Sequence, residues 1–424
     1  MPTIRKLKGI EILDSRGRPT VKAVCMLDDG TVASASVPSG LSTGAAEAHE
    51  LRDGDPTRYA GLGCRRAAAN VSHQLDDGLK NRPFETQGDL DRAMLELDGT
   101  PQKSRLGANA LLAVSVAFAR AHAARRNVPL YQHFADMLGE PIRRFPRMTL
   151  NLFSGGKHGG EQVPIQDVLM VPASADTFDE GLVAASRVYH QAVRLIRRKY
   201  KMRWLTADEG GLAPPAASVD ELIQLALQAI SEADLEPGKD VCLALDVAST
   251  HFHRNGRYEL GATPLSSDRM IERLGEWIDR YPIVSLEDGL AEDDWERWPQ
   301  LLKKTGDRVL VLGDDLLCTN VDRITKAIEL EACNALLLKV NQVGTLTESL
   351  DALRRARSAG WHVTTSVRSG DTEDDWFSDL AIGWSADQTK AGSLTQSERL
   401  SKYNRLLEIE NQLHLPMIRW PQPA

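Results

Sequence analysis

Short apolar runs between residues 240 and 400 repeatedly end on a single charged or polar residue. The residues at these ends are Asp246, Glu287, Asp314, Lys339 and Ser366, and the steps between them are 41, 27, 25 and 27 residues. A buried strand, a helix and two loops occupy about that much chain. In a closed barrel of parallel strands, the carboxyl ends of all strands meet at one mouth. The pattern therefore predicts an α/β barrel whose mouth brings three carboxylates and a lysine together.

The first third of the chain has a different pattern. Residues 21–27 alternate and end at Asp28-Asp29-Gly30, and residues 31–37 form the returning strand of a hairpin. From residue 64 to 137 the period becomes helical, and residues 106–115 are apolar nearly all round, which predicts a buried helix. Residues 141–148 have the character of a linker. We therefore expect two domains, an α+β domain over residues 1–138 and the barrel over residues 139–424.

Composition argues against several classes of function. The 424 residues carry a net charge of −8, with 42% hydrophobic and 26% charged residues, which is typical of a soluble globular protein. No basic stripe is evident, so we expect no nucleic-acid partner. The five cysteines have no metal-ligand spacing and predict reduced thiols. No apolar run reaches the ~18 residues of a membrane span, so we expect a cytoplasmic protein without membrane contact.

Three carboxylates at the predicted strand ends suggest a metal site. Asp246, Glu287 and Asp314 offer hard oxygen ligands, which together with water suit octahedral Mg²⁺. A single acid at a strand end more often caps the following helix. Three acids on consecutive strands, followed by Lys339 on the next, favour the metal interpretation.

Basic residues near the same strand ends suggest a general base and an anion clamp. Lys339 either pairs with a ligand carboxylate or acts as a base. A nearby cation and a second lysine would lower the pKa of Lys339, and Lys390 is the candidate for that second lysine. Arg368 and Ser369 form a candidate anion clamp. Glu209 precedes two glycines, which places its carboxyl on an open loop, although turn chemistry explains that motif equally well. Such a site binds a small, multiply anionic acid and stabilises the ene-diolate formed when its α-proton is removed.

The motifs of this chain resemble the enolase (phosphopyruvate hydratase) family along almost its whole length. The motifs that carry the resemblance are LDSRGRPTV (13–21), ELRDGD (50–55), LGANA (106–110), DEGG (208–211), SLED (285–288), AEDDW (291–295), GDDL (313–316), LKVNQ (338–342) and SERL (397–400). So many specific motifs in order make a chance match very improbable.

The resemblance implies an enolase-type (β/α)8 barrel capped by the α+β N-terminal domain. It implies Mg²⁺ at Asp246, Glu287 and Asp314, Lys339 as the base, and Glu209 as the acid that helps the hydroxyl leave. The remaining implied residues are Lys390 for the substrate carboxylate, Arg368 and Ser369 for the phosphate, Gln166 in the pocket, His158 on a loop that closes over substrate, and Ser42 on a mobile Gly/Ser loop that closes over a second, substrate-dependent Mg²⁺.

Three residues depart from the family pattern while the metal ligands, base and arginine are retained. Val367 stands where the pattern Ser-His-Arg-Ser-Gly has a histidine that lines the pocket. Asp167 replaces the glutamate that follows Gln166, which draws a catalytic carboxylate back by about 1.5 Å against a site tolerance of about 0.5 Å. Ala46 stands where the loop commonly carries a histidine. Losing polar partners around a leaving group costs about 10²–10³ in rate.

These departures leave two enzymatic hypotheses open. The first is dehydration of 2-phosphoglycerate to phosphoenolpyruvate. The second, which the selective pattern of departures favours, is a paralogue that acts on a related phospho- or phosphono-acid. A carboxyphosphonoenolpyruvate synthase of phosphinothricin-type antibiotic biosynthesis is an example, and it joins a phosphonoformyl group, activated as its CMP derivative, to an enolpyruvate unit.

A third hypothesis is a non-catalytic scaffold or surface-binding protein. Enolases that bind plasminogen often use a C-terminal lysine, whereas this sequence ends in Pro423-Ala424. The complete set of metal ligands also argues against this hypothesis. The family has an acid near its customary dimer contact where this chain has Lys22, and we expect a homodimer with altered ion pairs.

Overall fold

The structure is a computed structural model that describes residues 1–41 and 44–421. The chain begins with an antiparallel meander in the order β1-β2-β3, which includes the predicted hairpin. Its strands are β1 (Ile4–Leu13), β2 (Pro19–Leu27) and β3 (Val32–Ser36). One face of this sheet is covered by helices, so that the first domain has the predicted α+β architecture.

Five helices complete the first domain. They are α1 (Arg65–Asn70), α2 (Asp76–Leu79), α3 (Gln87–Asp98), α4 (Ala108–Arg125) and α5 (Leu130–Leu138). Helix α4 is buried without a break from residue 108 to 119, because it packs against β2 and β3 on one side and against α3 and α5 on others. The prediction of a helix that is apolar all round is therefore confirmed.

Eight strands close into a barrel in the order β10-β11-β12-β13-β4-β5-β6-β9. They are β4 (Arg147–Ser154), β5 (Asp167–Pro172), β6 (Val241–Asp246), β9 (Ile283–Glu287), β10 (Leu310–Gly313), β11 (Ala335–Leu338), β12 (His362–Ser366) and β13 (Gln388–Lys390). Two short strands, β7 (His253–Arg254) and β8 (Arg257–Tyr258), form a separate hairpin. The predicted fold class is confirmed, since the barrel is closed and surrounded by helices.

The direction of one strand differs from the prediction of an entirely parallel barrel. Strand β5 runs antiparallel to both of its neighbours, β4 and β6. The connection between β4 and β5, residues 155–166, contains only a four-residue helix and does not carry the chain back to the other end of the barrel. As a result the first residue of β5, and not its last, lies at the mouth.

Helices follow most strands of the barrel, and the longer ones pack around its outside. They are α6 (Gly156–Gly159), α7 (Phe178–Tyr200), α8 (Val219–Glu232), α9 (Ser267–Arg280), α10 (Trp298–Thr305), α11 (Val321–Glu329), α12 (Leu346–Ser358), α13 (Trp376–Gly383) and α14 (Ser397–Leu413). The predicted helices 219–233, 267–280, 321–331 and 345–358 agree with α8, α9, α11 and α12 to within two residues. The predicted linker 141–148 is wrong at its end, because Arg147 and Met148 already belong to β4.

The end of the barrel opposite the mouth is filled by the segment that follows α14. Ile418 and Trp420 pack with inward side chains of the barrel strands, such as Leu312 and Leu337. The Arg147 guanidinium fixes this segment, because it donates hydrogen bonds to the carbonyls of Ile418 and Trp420 at 3.0 Å and 2.9 Å. All five cysteines are free and buried. Within residues 1–41 and 44–421, no helix is long and apolar enough to cross a membrane.

Candidate active site

The structure brings the predicted acidic residues together at the mouth of the barrel. Asp246 ends β6 and lies opposite Glu287, which ends β9, while Asp314 directly follows β10. All three side chains are buried, with residue exposures of 1%, 4% and 6%. Each of these three apolar strands ends at its acid or one residue before it. The three carboxylates therefore lie at the same height along the barrel axis.

Two lysines neutralise these acids. Lys390, at the end of β13, donates from Nζ to Asp246 Oδ2 and Glu287 Oε2, both at 2.7 Å. Lys339, which follows β11, donates from Nζ to Asp314 Oδ2. The interval pattern of the sequence therefore located four of these five side chains, Asp246, Glu287, Asp314 and Lys339, and Lys390 was added as a separate candidate.

The donor set fits a hard cation. Glu287 Oε1 is buried without a hydrogen-bond partner among the described residues, and the three carboxylates are the oxygen ligands that Mg²⁺ prefers. The ligand atoms of Asp246, Glu287 and Asp314 do not all lie within 4.8 Å of one another, and Lys390 and Lys339 bind to them in this structure. The groups of three whose ligand atoms lie within 4.8 Å of one another, in the described part of the chain, are His158, Asp167 and Glu209, and Asp288, Asp314 and Asp315.

The electrostatics of Lys339 depend on its contact with Asp314. Burial lowers the pKa of Lys339, but the neighbouring Asp314 carboxylate outweighs burial, so that this pKa is raised above its ordinary value. The expected depression of this pKa concerned a site that holds a divalent cation, and it stays a prediction. Burial also raises the pKa of Glu287 well above its usual range, and the charge of Asp246 adds to that effect.

A second group of polar side chains reaches the mouth because β5 is reversed. Asp167 is the first residue of β5, and Gln166 precedes it and donates from Nε2 to Asp246 Oδ2 at 2.8 Å. Ser154 Oγ donates to Asp167 Oδ1 at 2.5 Å. His158, on α6, has its Nδ1 atom 4.0 Å from Asp167 Oδ2. Asp167 and His158 therefore adjoin the acidic cluster although no strand-end pattern marks them.

Glu209 is buried, which contradicts the prediction of an open loop. Its residue exposure is 6%, and Asn151 Nδ2 donates to Glu209 Oε2 at 3.1 Å. Residues 205–213 fold back on themselves, since the amide of Ala207 donates to the carbonyl of Gly211. Gly210 has a φ of +83°, and a Cβ at Gly211 would lie 2.2 Å from Ser154 Oγ, so both glycines are required.

Asp167 and Glu209 have opposite pKa shifts. Burial, followed by the charge of Glu209, raises the pKa of Asp167 well above its usual range. Burial alone would raise the pKa of Glu209 too, but the charges of His158 and Arg399 outweigh it and lower this pKa. Asp167 therefore holds a proton more readily than Glu209 does, and the pair suits proton transfer at this side of the mouth.

The candidate anion clamp lies where the two domains meet. Arg368 and Ser369 are buried, with exposures of 3% and 4%. Ser369 Oγ accepts hydrogen bonds from the amide of Leu41 and from Arg16 Nη1, both at 3.1 Å. Arg368 is engaged by Glu47, a partner that no sequence pattern indicated. Ser42, predicted as a substrate and metal ligand, lies outside the described residues.

Val367 is buried, and its surroundings are partly polar, since Asn341 and Asp371 line the same cavity as its side chain. Its side chain belongs to the hydrophobic core and, together with Leu338, Val340 and Trp376, lines a small cavity beside the anion clamp. The expectation that position 367 lines the substrate pocket stays a prediction. Ala46 is half-buried in the stretch between Gly44 and Glu47.

The fold and this constellation define a barrel protein whose acidic, lysine-containing mouth is approached by residues of an α+β domain. Residues 143–417 match the family described as Enolase, C-terminal TIM barrel domain. Residues 4–134 match the family described as Enolase, N-terminal domain. The two matches cover nearly all of the chain, and the protein therefore belongs to the enolase family, within a superfamily of enzymes.

Proposed function

We propose that this protein is a Mg²⁺-dependent enzyme that activates the carboxylate of an acid resembling 2-phosphoglycerate or phosphoenolpyruvate. The observation that carries the proposal is the convergence of Asp246, Glu287 and Asp314 with two buried lysines at the mouth of the barrel. Carboxylates alone would serve as helix caps, whereas carboxylates and amines in contact with each other suit cation binding beside a base.

In the proposed reaction, Lys339 removes the α-proton. The C–H electron pair moves into the substrate carboxylate to give an ene-diolate, whose charge Mg²⁺ held by Asp246, Glu287 and Asp314 would neutralise. The pKa of Lys339 is raised chiefly by the contact with Asp314. Engagement of the Asp314 carboxylate by a cation removes that effect, so that burial then favours the neutral amine.

The leaving-group side of the site would be formed by Asp167, Glu209 and His158. Departure of the hydroxyl requires a proton, which the Asp167–Glu209 pair is arranged to hold. Lys390 and Gln166 would orient the substrate carboxylate, and Arg368 and Ser369 would bind the phosphoryl or phosphonyl group. A second Mg²⁺ that arrives with substrate, with Ser42 as a ligand, is also part of the proposal.

Within this class we favour a diverged paralogue over the ordinary phosphopyruvate hydratase. Asp167 and Val367 alter the side from which the hydroxyl leaves, while the carboxylate-activating residues are retained. The alternatives are a carboxyphosphonoenolpyruvate synthase of phosphinothricin-type antibiotic biosynthesis, and the glycolytic conversion of 2-phosphoglycerate to phosphoenolpyruvate and water. A cytoplasmic homodimer acting on a small anionic acid is the proposed form of the enzyme.

The experiment that tests the proposal is a substrate screen of the purified protein with Mg²⁺. Phosphoenolpyruvate formation from 2-phosphoglycerate is followed by absorbance, and phosphono-acid analogues are followed by phosphorus NMR. Turnover of 2-phosphoglycerate at ordinary hydratase rates would overturn the paralogue hypothesis. Failure of Mg²⁺ and of every substrate analogue to bind would overturn the enzymatic proposal as a whole and favour a scaffold.

A further inference from the structure

The outward face of α7 carries a continuous row of basic side chains. Its members are Arg187, His190, Arg194, Arg197 and Lys201, the residue that caps the helix at its carboxyl end. They are spaced by three or four residues and therefore lie on one side of the helix. All five are exposed. No basic stripe is evident in the sequence, because buried apolar residues interleave with the row and hide its periodicity. The row removes the reason for expecting no nucleic-acid partner.

Most of this row has no acidic partner. The side chains of Arg194, Arg197 and Lys201 make neither a hydrogen bond nor an ion pair with any residue in the ranges 1–41 and 44–421. Arg187 is at the opposite end of the row from Lys201, and its Nη2 atom lies 3.8 Å from Asp234 Oδ2. Unpaired cations in a row attract a chain of negative charges, because each successive charge of the ligand finds another cation within reach.

The neighbouring basic residues of the same helix show the contrast. Arg198 pairs with Glu232 and Lys199 pairs with Glu221, both at 2.6 Å. Both acids belong to α8, which packs beside α7. The basic side chains that point towards α8 are therefore neutralised, whereas Arg194, Arg197 and Lys201 of the outward row are not.

An aromatic groove extends the row at the carboxyl end of the helix. Arg197, Lys201, Met202, Arg203 and Trp204 line it, and its volume is about 540 Å³. The Arg203 guanidinium lies 5.7 Å from the centre of the Trp204 ring. An indole and a thioether beside cations provide a surface on which a nucleobase can stack while its phosphate is neutralised.

We propose that this basic row and the adjoining groove bind single-stranded nucleic acid. A flexible strand can place successive phosphates on cations that follow a helix, and one or more of its bases in the groove. The net charge of −8 repels such a ligand from the rest of the surface, which confines binding to the row. This inference concerns the outside of the barrel and does not depend on the proposed reaction.

A membrane surface fits these observations less well. An amphipathic helix that binds a bilayer inserts its apolar face among the lipids. The apolar face of α7, with Val188, Leu195 and Ile196, is buried against the barrel. The basic side chains of the row remain outside. They are better suited to bind the phosphates of a nucleic-acid strand than to enter the apolar part of a membrane.

Fluorescence anisotropy of the full-length protein tests the proposal with a labelled RNA strand longer than the ~4–16 nucleotides that a single groove covers. We expect binding whose logarithmic dependence on salt has a slope of about −0.7 for each phosphate contact, or about −3 for four contacts. The variant R194Q/R197Q should weaken binding at least tenfold and make the slope shallower by about 1.4. The variant R198Q/K199Q removes the same charge from the same helix and should change binding less than twofold.

A Trp204→Ala variant separates stacking from charge attraction. We expect it to weaken binding about fivefold or more with little change in the salt slope. Unfolding curves of the charge variants should lie close to that of the parent protein, because those side chains are exposed. Trp204 is half-buried against the core, so Trp204→Ala should lower the stability, and its binding is measured well below its unfolding midpoint.

Absence of RNA binding at low salt would overturn the proposal, as would an equal loss of RNA affinity in R194Q/R197Q and R198Q/K199Q. Tighter binding to anionic vesicles than to the RNA strand, or equally tight binding of duplex RNA, would also overturn it. Competition by inorganic polyphosphate as strong as by RNA, with Trp204→Ala unaffected, would show a site for phosphate chains only and would also overturn it.

Discussion

The Glu47 carboxylate accepts hydrogen bonds from both terminal nitrogens of Arg368, at 2.9 Å from Nη1 and 3.2 Å from Nη2. These residues belong to different domains, and their side-chain exposures are 8% and 3%. Arg368 Nη1 also donates to Asn341 Oδ1 at 3.0 Å. The guanidinium proposed to bind the substrate phosphoryl group is thus already paired with an internal anion.

Glu47→Gln should therefore have two effects. Removal of a buried partner charge leaves Arg368 uncompensated and should lower the free energy of unfolding by about 2–4 kcal/mol. The same uncompensated guanidinium should bind inorganic phosphate more tightly than in the parent protein. Thermal unfolding with and without phosphate measures both effects, because a ligand that binds the folded state raises the melting temperature.

Glu348→Gln provides the matched control for that substitution. Glu348 accepts a hydrogen bond from Lys103 at 2.8 Å, away from Arg368. Its loss should lower stability without changing the response to phosphate. An equal phosphate response in both variants, or weaker phosphate binding by Glu47→Gln, would show that Glu47 only orients Arg368.

Lys339→Gln should abolish exchange of the substrate α-proton with solvent. A positioned general base contributes about 10²–10⁴ to the rate, and glutamine cannot accept the proton. Proton NMR in deuterated buffer measures this exchange independently of hydroxyl departure. Lys239→Gln, at an exposed position outside the site, should leave exchange unchanged. Undiminished exchange in Lys339→Gln would remove this lysine from the proposed mechanism.

Val367→His tests whether this position limits dehydration. The imidazole would enter a buried position, so we expect a loss of about 1–3 kcal/mol in the free energy of unfolding. If histidine restores a polar partner near the leaving group, 2-phosphoglycerate dehydration should rise at least tenfold. Val367→Leu keeps the position apolar and should give no such gain. Equal rates in the two variants would show that position 367 does not account for the divergence.

Acid should destabilise the first domain through His133. Burial lowers the pKa of His133 to about 4, and the neighbouring His122 and Arg126 add to this effect. Between pH 6.5 and 4 the unfolded chain therefore binds more protons at this site than the folded chain, so stability falls as pH falls through that window. The full effect is about 3 kcal/mol.

Urea unfolding at several pH values measures that dependence. His133→Phe should flatten it, because phenylalanine fills the site without titrating. The exposed His190 is the matched control, and His190→Phe should leave the dependence as it is in the parent protein. An unchanged pH dependence in His133→Phe would assign acid sensitivity to other groups.

The parts of the site that the sequence predicted are those that end parallel strands. Asp246, Glu287 and Asp314 follow apolar runs at regular steps, and a barrel has only one mouth at which such ends can meet. Gln166 and Asp167 do not obey this rule, since they reach the mouth by beginning a reversed strand. A short apolar run contains no information about strand direction, so only family resemblance pointed to these two residues.

Contacts between residues that are far apart in the sequence could not be predicted from sequence patterns either. Glu47 and Arg368 meet because the first domain packs on the mouth, and neither residue has a neighbour in sequence that marks the pairing. The surroundings of Val367 depend likewise on Trp376, a residue of α13. The basic row on α7 was missed for a different reason, since its spacing becomes visible only once the helix is known.

The closure of the barrel floor by Ile418 and Trp420 has a consequence for the order of synthesis. The strands surrounding these two side chains leave the ribosome long before residues 416–421 do. Until those residues emerge, the apolar side chains at the floor of the nascent barrel remain exposed to solvent. The α+β domain contains its own core and can form first. Chaperones that shield exposed hydrocarbon should therefore associate with nascent chains paused just before residue 416 and dissociate once translation has passed the tryptophan.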